Sequence, residues 1–411
     1  MSSKTGAHPT SRLRKASASH RLNAFLKQIE ILESSNFPHP DAREALGKLK
    51  DDIKGQIRRL SRSDVSDEAL IDRLYAQARN TVIEYTPILG FILRSTNIRN
   101  AFEVHFPLKR LAKQVIGANA KLIISSEWNF VPFTYPMTLP RLPQFALVGG
   151  PASESGNVLA TPVAAHEIGH SAWRVHSPSF ALDNKLIGAV DAAISANASQ
   201  TAALVIQLGT GPLAVPQIRH LVFSNAKKQL EEIFCDAVGL YYFGASFLYA
   251  LEYFLAPGGG PRSLTYPSDV ERLKLLTDGA AALGISNSSP LFERWADSVA
   301  QSSQMDFITI LDAAVAHLAS DVINHATSLL RSRGARVPDQ TKIDAAVRSF
   351  DGGEPIAGDI TLGEIATAGW EIVRREGGLA EASKRRKYRD LGDLMLKSVE
   401  VAEFELRIAR A

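Results

Sequence analysis

The sequence contains only one cysteine, Cys235, among 411 residues. A single thiol cannot form an intramolecular disulfide, and it excludes a metal site built from several thiolates. Disulfides belong to oxidising compartments, whereas a lone cysteine is typical of proteins that work in the reducing cytoplasm. We therefore expect a cytoplasmic protein, and any metal site must draw mainly on other ligand types.

A large net charge is also absent. Lys and Arg number 46 against 43 Asp and Glu, so the formal charge is +3, which is too small to imply nucleic acid as an obligatory partner. The charge is nevertheless uneven, because residues 1–29 contain several basic side chains and no acid. Residues 2–19 are also rich in Ser, Thr and Ala. This composition predicts a disordered basic tail over residues 1–20, rather than the mitochondrial presequence that it also resembles.

The third absence is a long hydrophobic run. A membrane-spanning helix needs about 20 predominantly apolar residues, and the nearest approach is the uncharged segment 192–218, which polar, glycine and proline residues interrupt. We therefore predict no integral membrane span. The segment leaves open a peripheral contact with a membrane surface, or a lid beside a substrate. Nothing in the sequence indicates an oligomeric state.

What the sequence does contain is a strong helical pattern. Apolar residues recur at helical spacing in residues 21–115 and again from residue 267 to the end. Between them, the short apolar segments 122–124, 130–135 and 145–148 are separated by proline and glycine, which is typical of strands. The pattern predicts an α+β fold that is mostly α.

The change of pattern also predicts domain boundaries. After the tail we expect a helical N-terminal region over residues 21–115. A catalytic domain with a short sheet and a central helix should cover residues 116–280. A helical C-terminal region over residues 281–411 should follow.

The central helix carries the sequence His-Glu-Ile-Gly-His at residues 166–170. Residues four apart lie on the same face of a helix, so His166 and His170 can present both imidazoles to one metal ion. Glu167 lies beside them and can act as a general base toward a water that the metal activates. This pattern is typical of zinc peptidases called zincins, and it predicts Zn²⁺ as the cofactor.

The context of the motif supports a helix there. Thr161 offers an N-cap hydroxyl and Pro162 suits the first helical position, so a helix should run from Val163 to about Val175. Gly169 would lie inside it. Since a mid-helix glycine costs about 1 kcal/mol relative to alanine, we expect another element to pack closely against Gly169.

A catalytic zinc needs a third protein ligand, and two candidates remain open. Glu232 lies on a second predicted helix and shares a face with Asp236, which can accept the free N–H of a zinc-bound histidine and fix its tautomer. The alternative is His176, whose spacing from His166 and His170 is that of a metzincin. That arrangement needs a sharp turn at residue 173, where this sequence has the bulky Trp173. Between Glu232 and Asp236, Cys235 is expected to be a small buried side chain rather than a ligand.

Three blocks of the sequence resemble the gluzincin metallopeptidases, and among them the prenyl-protein and heat-shock endopeptidase family. They are His-Glu-x-Gly-His at 166–170, Glu-x-x-x-Asp-x-x-Gly at 232–239 and Thr-Tyr-Pro-x-x-x-x-Arg-Leu at 265–273. The resemblance covers residues 160–275 and implies that Glu232 is the third zinc ligand and that Arg272 helps to order the site. Tyr266 stands where the family has a histidine. A phenol can still donate a hydrogen bond to the oxyanion of the transition state.

The sequence therefore predicts a zinc-dependent metallopeptidase of gluzincin type that hydrolyses peptide bonds in peptides or proteins with a metal-activated water and Glu167 as general base. We favour an endopeptidase over an exopeptidase. The alternative is a helical scaffold or regulatory binding protein that has kept a structural or degenerate zincin site, which four protein ligands around the metal would indicate.

Overall fold

A computed structural model of the protein describes residues 9–96, 102–128, 133–134, 141–177, 181–209, 211–285, 295–377 and 387–409. Helices dominate these residues and the strands are few and short, so the fold is α+β and mostly α, as predicted. The elements in chain order are α1 (Pro9–Glu33), α2 (Pro40–Arg62), α3 (Glu68–Arg94), α4 (Phe102–Val115), β1 (Lys121–Glu127), β2 (Phe133–Thr134), β3 (Phe145–Pro151), α5 (Val163–His176), α6 (Leu182–Ala196), α7 (Ala198–Leu208), α8 (Ala214–Phe243), α9 (Ala245–Leu255), α10 (Asp269–Ala282), α11 (Met305–Ala316), α12 (Ala319–Ser332), α13 (Gln340–Asp351), α14 (Leu362–Arg375) and α15 (Lys387–Ile408).

The chain divides into two compact units. Unit 1 contains residues 1–100, 121–130 and 135–155, and therefore α1, α2, α3, β1 and β3. Each of its helices buries one apolar face, which includes Leu22 of α1, Leu49 of α2 and Ile71 of α3. Pro40 starts α2, because its fixed φ suits a first helical position. Asp67 caps α3 by accepting a hydrogen bond from the backbone N–H of Leu70.

Helix α1 corrects the prediction of a disordered tail. The helix begins at Pro9, so residues 9–20 are helical, and residues 1–8 lie outside the described part of the chain. Tertiary contacts account for the difference, since Ser11 and Ala18 are buried. The Lys15 ammonium also donates to the carbonyl oxygen of Ser63 over 2.7 Å.

The two strands of unit 1 are parallel, with Lys121 opposite Phe145 and Glu127 opposite Pro151. Side chains of the helices fix β1 at both ends. Asp41 of α2 accepts from the backbone N–H of Leu122 over 2.9 Å, and Arg94 of α3 donates to Glu127 over 2.7 Å. These bonds group β1 with the N-terminal helices, whereas the sequence pattern predicts both strands within the central domain of residues 116–280. Of the predicted strand 130–135, only β2 is described.

Unit 2 contains residues 101–120, 131–134 and 156–411. The long helix α8 is central, and α5, α6, α11 and α12 all pack against it. The second half of α8 is almost wholly buried. Close approach of neighbouring helices depends on small residues there: a β-carbon on Gly239 would lie 2.4 Å from the ring of Phe247 on α9.

Helix α14 supports the start of α5 within the same unit. A 3₁₀ turn, Val158–Ala160, precedes α5, and the buried indole N–H of Trp370 donates to the carbonyl oxygen of Leu159 over 2.9 Å. Gly369 makes this approach feasible, since a β-carbon there would lie 3.0 Å from Leu159. The turn that leads into α5 is therefore attached to a helix from the far end of the chain.

No helix in the described part of the chain is both long and apolar enough to cross a membrane.

Candidate metal centre

The candidate centre is built on α5, which runs from Val163 to His176 as an unbroken helix. This extent agrees with the prediction, although Thr161 does not cap the helix with its side chain as expected, because the preceding 3₁₀ turn ends there. His166 and His170 lie one turn apart on one face, and their ring centroids are 5.1 Å apart. Both rings point toward α8.

Carboxylates of α8 hold both imidazoles through Nδ1. His166 Nδ1 lies 2.8 Å from Asp236 Oδ1, and His170 Nδ1 lies 2.9 Å from Glu231 Oε1. A carboxylate accepts a hydrogen bond and cannot donate one when ionised, so each Nδ1 carries the proton. The Nε2 atoms are therefore the ones that remain for a metal, and their orientation is fixed from behind.

Glu232 faces both Nε2 atoms from the opposite side. Its Oε2 lies 3.2 Å from His166 Nε2, and its Oε1 lies 3.8 Å from His170 Nε2. Glu232 is buried, and within the described residues its Oε2 has no hydrogen-bond partner. The His166 nitrogen is near enough but too far off the direction of a hydrogen bond, as expected when two ligands face a common point rather than each other.

These separations fit a zinc ion. Zinc lies about 2.0–2.2 Å from nitrogen and oxygen ligands in a tetrahedron, which places neighbouring ligand atoms about 3.4 Å apart. The distance from Glu232 Oε2 to His166 and that from Glu232 Oε1 to His170 lie on either side of this value, so each histidine has one carboxylate oxygen near that separation. A buried carboxylate oxygen without a hydrogen bond also requires compensation, and a cation held between these three side chains would provide it.

Cys235 is the other side chain of suitable chemistry nearby. Its Sγ and one nitrogen of each histidine lie within 4.8 Å of one another, whereas Glu232 offers a different oxygen to each histidine. The thiol is buried, and burial together with the neighbouring carboxylate of Glu232 raises its pKa well above the usual range. It lies directly against Gly169, where a β-carbon would be 2.9 Å from Cys235 Cα. The close packing predicted at Gly169 is thus confirmed, and Cys235 is buried as expected.

Asp236 is itself held by Arg272 of α10. The guanidinium donates through Nε to Oδ2 over 2.6 Å and through Nη2 to Oδ1 over 2.8 Å. Burial alone would raise the pKa of Asp236, but the Arg272 charge outweighs it and holds that pKa well below its usual range. Burial likewise opposes charge on His166, yet the carboxylates of Asp236 and Glu232 raise its pKa to about 10. The structure thus brings Arg272, Asp236 and His166 into one chain of contacts.

Glu167 lies on the neighbouring face of α5 and is also buried. Burial raises the pKa of its carboxyl, while the charges of His166 and His170 and a backbone hydrogen bond at Thr134 of β2 oppose the rise. Glu167 is therefore within the electrostatic influence of both histidines.

Tyr266 lies in the loop before α10 and is 45% exposed. Its backbone carbonyl accepts a hydrogen bond from Arg262, which fixes the loop. Burial of the phenol and the charges of Glu232 and Glu167, only partly offset by Arg272, raise its pKa to about 12. Tyr266 thus lies within the electrostatic influence of the centre and stays protonated at neutral pH.

The alternative ligand His176 is wrong for this structure. The helix continues through Trp173 without the turn that a metzincin requires, and Trp173 is buried against Phe234 with ring centroids 5.4 Å apart. Ten helical residues separate His176 from His166, which is about 15 Å along the axis. His176 Nε2 instead donates to the carbonyl oxygen of Val115 over 2.6 Å.

Sequence reasoning missed Glu231. Since α5 and α8 meet with His166 near Asp236 and His170 near Glu231, the helices run in opposite directions, and moving one turn along α5 moves about one turn back along α8. Antiparallel packing of the two motif-bearing helices would place an acid at residue 231 or 232 beside His170. The motifs alone do not reveal that the two helices pack in this way.

In comparisons with known proteins, no family model, no curated protein and no solved structure matches the chain.

Proposed function

We propose that this protein is a zinc-dependent metallopeptidase that hydrolyses peptide bonds, with His166, His170 and Glu232 as the zinc ligands and Glu167 as the general base. The observation that carries the proposal is the convergence of two Nε2 atoms on a buried, incompletely bonded Glu232 carboxylate. Two histidines and one carboxylate are the protein ligands of a common class of catalytic zinc site, which keeps one position open. The resemblance to gluzincins in residues 160–275 leads to the same ligand set.

Zinc bound there would supply a Lewis acid that polarises a carbonyl and lowers the pKa of water. The remaining steps belong to the chain. Glu167 takes the proton of the attacking water on its carboxylate and later delivers it to the leaving amine. Tyr266 donates its phenolic hydrogen to the developing oxyanion. Asp236 and Glu231 keep the imidazoles oriented through Nδ1, and Arg272 keeps Asp236 ionised and in place.

The substrate would be a peptide or protein, and we favour internal cleavage over removal of terminal residues. We also propose that the protein acts in the cytoplasm, where a reduced Cys235 is the expected state. Its buried thiol needs no oxidising environment for folding.

The first test is metal content. Elemental analysis of the full chain after dialysis should find about one zinc per chain. Glu232→Ala should lose it, whereas Cys235→Ala and His176→Ala should retain it. Loss of zinc from Cys235→Ala with retention in Glu232→Ala would show that the thiol is the third ligand and would overturn the gluzincin assignment.

The second test is hydrolysis. A digest of a peptide library should show cleavage by the wild type that a chelator abolishes, and zinc-replete Glu167→Gln should lose at least about a thousandfold in kcat/KM, because the proton acceptor is gone. A wild type that retains zinc but cleaves nothing would favour the scaffold alternative. Full activity of Glu167→Gln would eliminate Glu167 as the base.

A further inference from the structure

A second cluster of functional side chains lies in unit 1, on one face of α2. Lys48, Asp52, Gly55, Arg59 and Arg62 follow one another at intervals of three or four residues, so they form a stripe along the helix. The opposite face carries Leu49, Ile53 and Leu60, which are buried. The stripe is therefore the outward face of an amphipathic helix, and its charge is predominantly positive.

The stripe and Arg141 together line an open groove with a volume of about 560 Å³, which is within the range of small-molecule sites. Arg141 comes from the segment before β3 and reaches over α2 to pair with Asp52, Nε to Oδ1, over 2.8 Å. The groove thus has walls from two parts of the chain.

Two acids line the groove: Asp51, which is exposed, and Asp52, whose charge is already paired. Asp52 accepts hydrogen bonds from Gln56 over 2.8 Å and from the hydroxyl of Tyr85 over 3.0 Å, besides its pair with Arg141. Arg58, Arg59 and Arg62 are different. Among the described residues none of the three forms an ion pair, and all three are exposed. Three guanidinium groups that line the groove thus remain available to an anion.

Gly55 is one of the residues that line the groove. A mid-helix glycine destabilises a helix by about 1 kcal/mol relative to alanine, and here no packing contact requires it. A β-carbon at Gly55 would meet only the mobile end of Arg58, at 3.9 Å. The space that the missing side chain leaves opens into the groove instead.

We propose that this groove binds a small soluble molecule that carries two or more phosphate groups. Guanidinium groups bind phosphate through paired, charge-assisted hydrogen bonds. Three such groups within two turns of α2 match several phosphates in a row better than one isolated anion. The groove volume fits a triphosphate or a nucleotide, whereas a membrane or a long nucleic acid would need a more extended basic surface.

The test uses inorganic triphosphate as the probe, titrated calorimetrically into the full chain. Arg58→Ala combined with Arg62→Ala should weaken binding at least about tenfold, because charge-assisted bonds are lost. The matched control is Arg73→Ala combined with Arg79→Ala, which removes the same charge from exposed positions of α3. It should change the affinity less than about twofold. Equal losses in the two double variants would show diffuse attraction and overturn the proposal.

A second pair of variants tests the location. Gly55→Gln should fill the groove and weaken triphosphate binding at least about fivefold, while its helix becomes more stable, because glutamine is a better helix former than glycine. Gly47→Gln changes the same helix at a position where a β-carbon meets nothing within 4 Å. It should stabilise the helix to a similar extent and leave the affinity for triphosphate unchanged. Equal affinities of the two variants would place the anion elsewhere.

Two further probes distinguish a small phosphate-containing molecule from a nucleic acid and from a membrane. If a single-stranded oligonucleotide or vesicles rich in phosphatidylserine bind more tightly than triphosphate, and the Arg58/Arg62 variant abolishes that binding, the site serves a nucleic acid or a membrane and the small-molecule proposal is wrong. Chelation of zinc should not affect triphosphate binding, so the result is independent of the proposed peptidase activity.

Discussion

The charged side chains around α5 and α8 differ in kind from those along α2. At the candidate metal centre the charged groups are buried or half-buried, and Asp236 contacts both Arg272 and His166. Along α2 the arginines are exposed and form no ion pairs within the described residues. A buried charge is tolerated only when partners compensate its lost hydration, so the first cluster has a fixed geometry. The second is free to take its partner from solution.

The comparison is tested most strongly at Asp236. Asp236→Ala would leave the buried Arg272 and His166 without their carboxylate, so the free energy of unfolding should fall by about 3–5 kcal/mol. Chemical denaturation in the presence of a chelator measures this without a contribution from zinc.

The control for Asp236 is Asp191→Ala. Asp191 pairs with Arg219 over 2.6 Å, but both side chains are about half exposed, so its loss should change the free energy of unfolding by less than about 1 kcal/mol. Similar effects of the two substitutions would contradict the distinction between buried and exposed charge.

The contact between α5 and α8 gives the next effect in size. Gly169→Ala would place a β-carbon 2.9 Å from the backbone of Cys235, so the helices must separate, and we expect a loss of about 1–3 kcal/mol in unfolding free energy. Gly188→Ala in α6 is the matched control, because a β-carbon there meets nothing within 4 Å. It should stabilise by about 0.5–1 kcal/mol. Relative to the wild type, the melting temperature of Gly169→Ala should fall and that of Gly188→Ala should rise. A shift of both in the same direction would contradict the close contact at Gly169.

The smallest effect concerns Glu231. Glu231→Gln keeps the size of the side chain but weakens its hold on His170 Nδ1, and we expect the zinc affinity to fall about tenfold, at the lower end of the range for such supporting residues. Competition with a chromogenic chelator measures it. Glu400→Gln, at an exposed pair with Lys397 on α15, should leave the affinity unchanged. An unchanged affinity in Glu231→Gln would show that the contact is incidental.

The helical periodicity and the motif spacing predicted much of this molecule. His166, Glu167 and His170 fall on one helix as expected, and Glu232 and Asp236 approach them from a second helix. These predictions succeed because residues four apart on a helix share a face whatever surrounds the helix. Local rules of this kind need no knowledge of the tertiary fold.

The features that were missed depend on tertiary contacts. Glu231 becomes relevant only through the pairing of α5 with α8. The groove on α2 is lined in part by Arg141, which comes from far along the chain and pairs with Asp52. Helix formation in residues 9–20 likewise follows from burial of Ser11 and Ala18 rather than from the composition of the segment. Because periodicity describes one element at a time, it could not reveal how separate elements meet.

The hydrogen bond from Trp370 to Leu159 has a consequence for how the chain can be shortened. A fragment that ends after α10 would keep every predicted zinc ligand, yet it would leave the Leu159 carbonyl, at the entrance to α5, without its buried donor. The span that carries the three motifs therefore depends on a helix that lies beyond it in the sequence. Truncation before α14 should destabilise the start of α5 by about 1–3 kcal/mol.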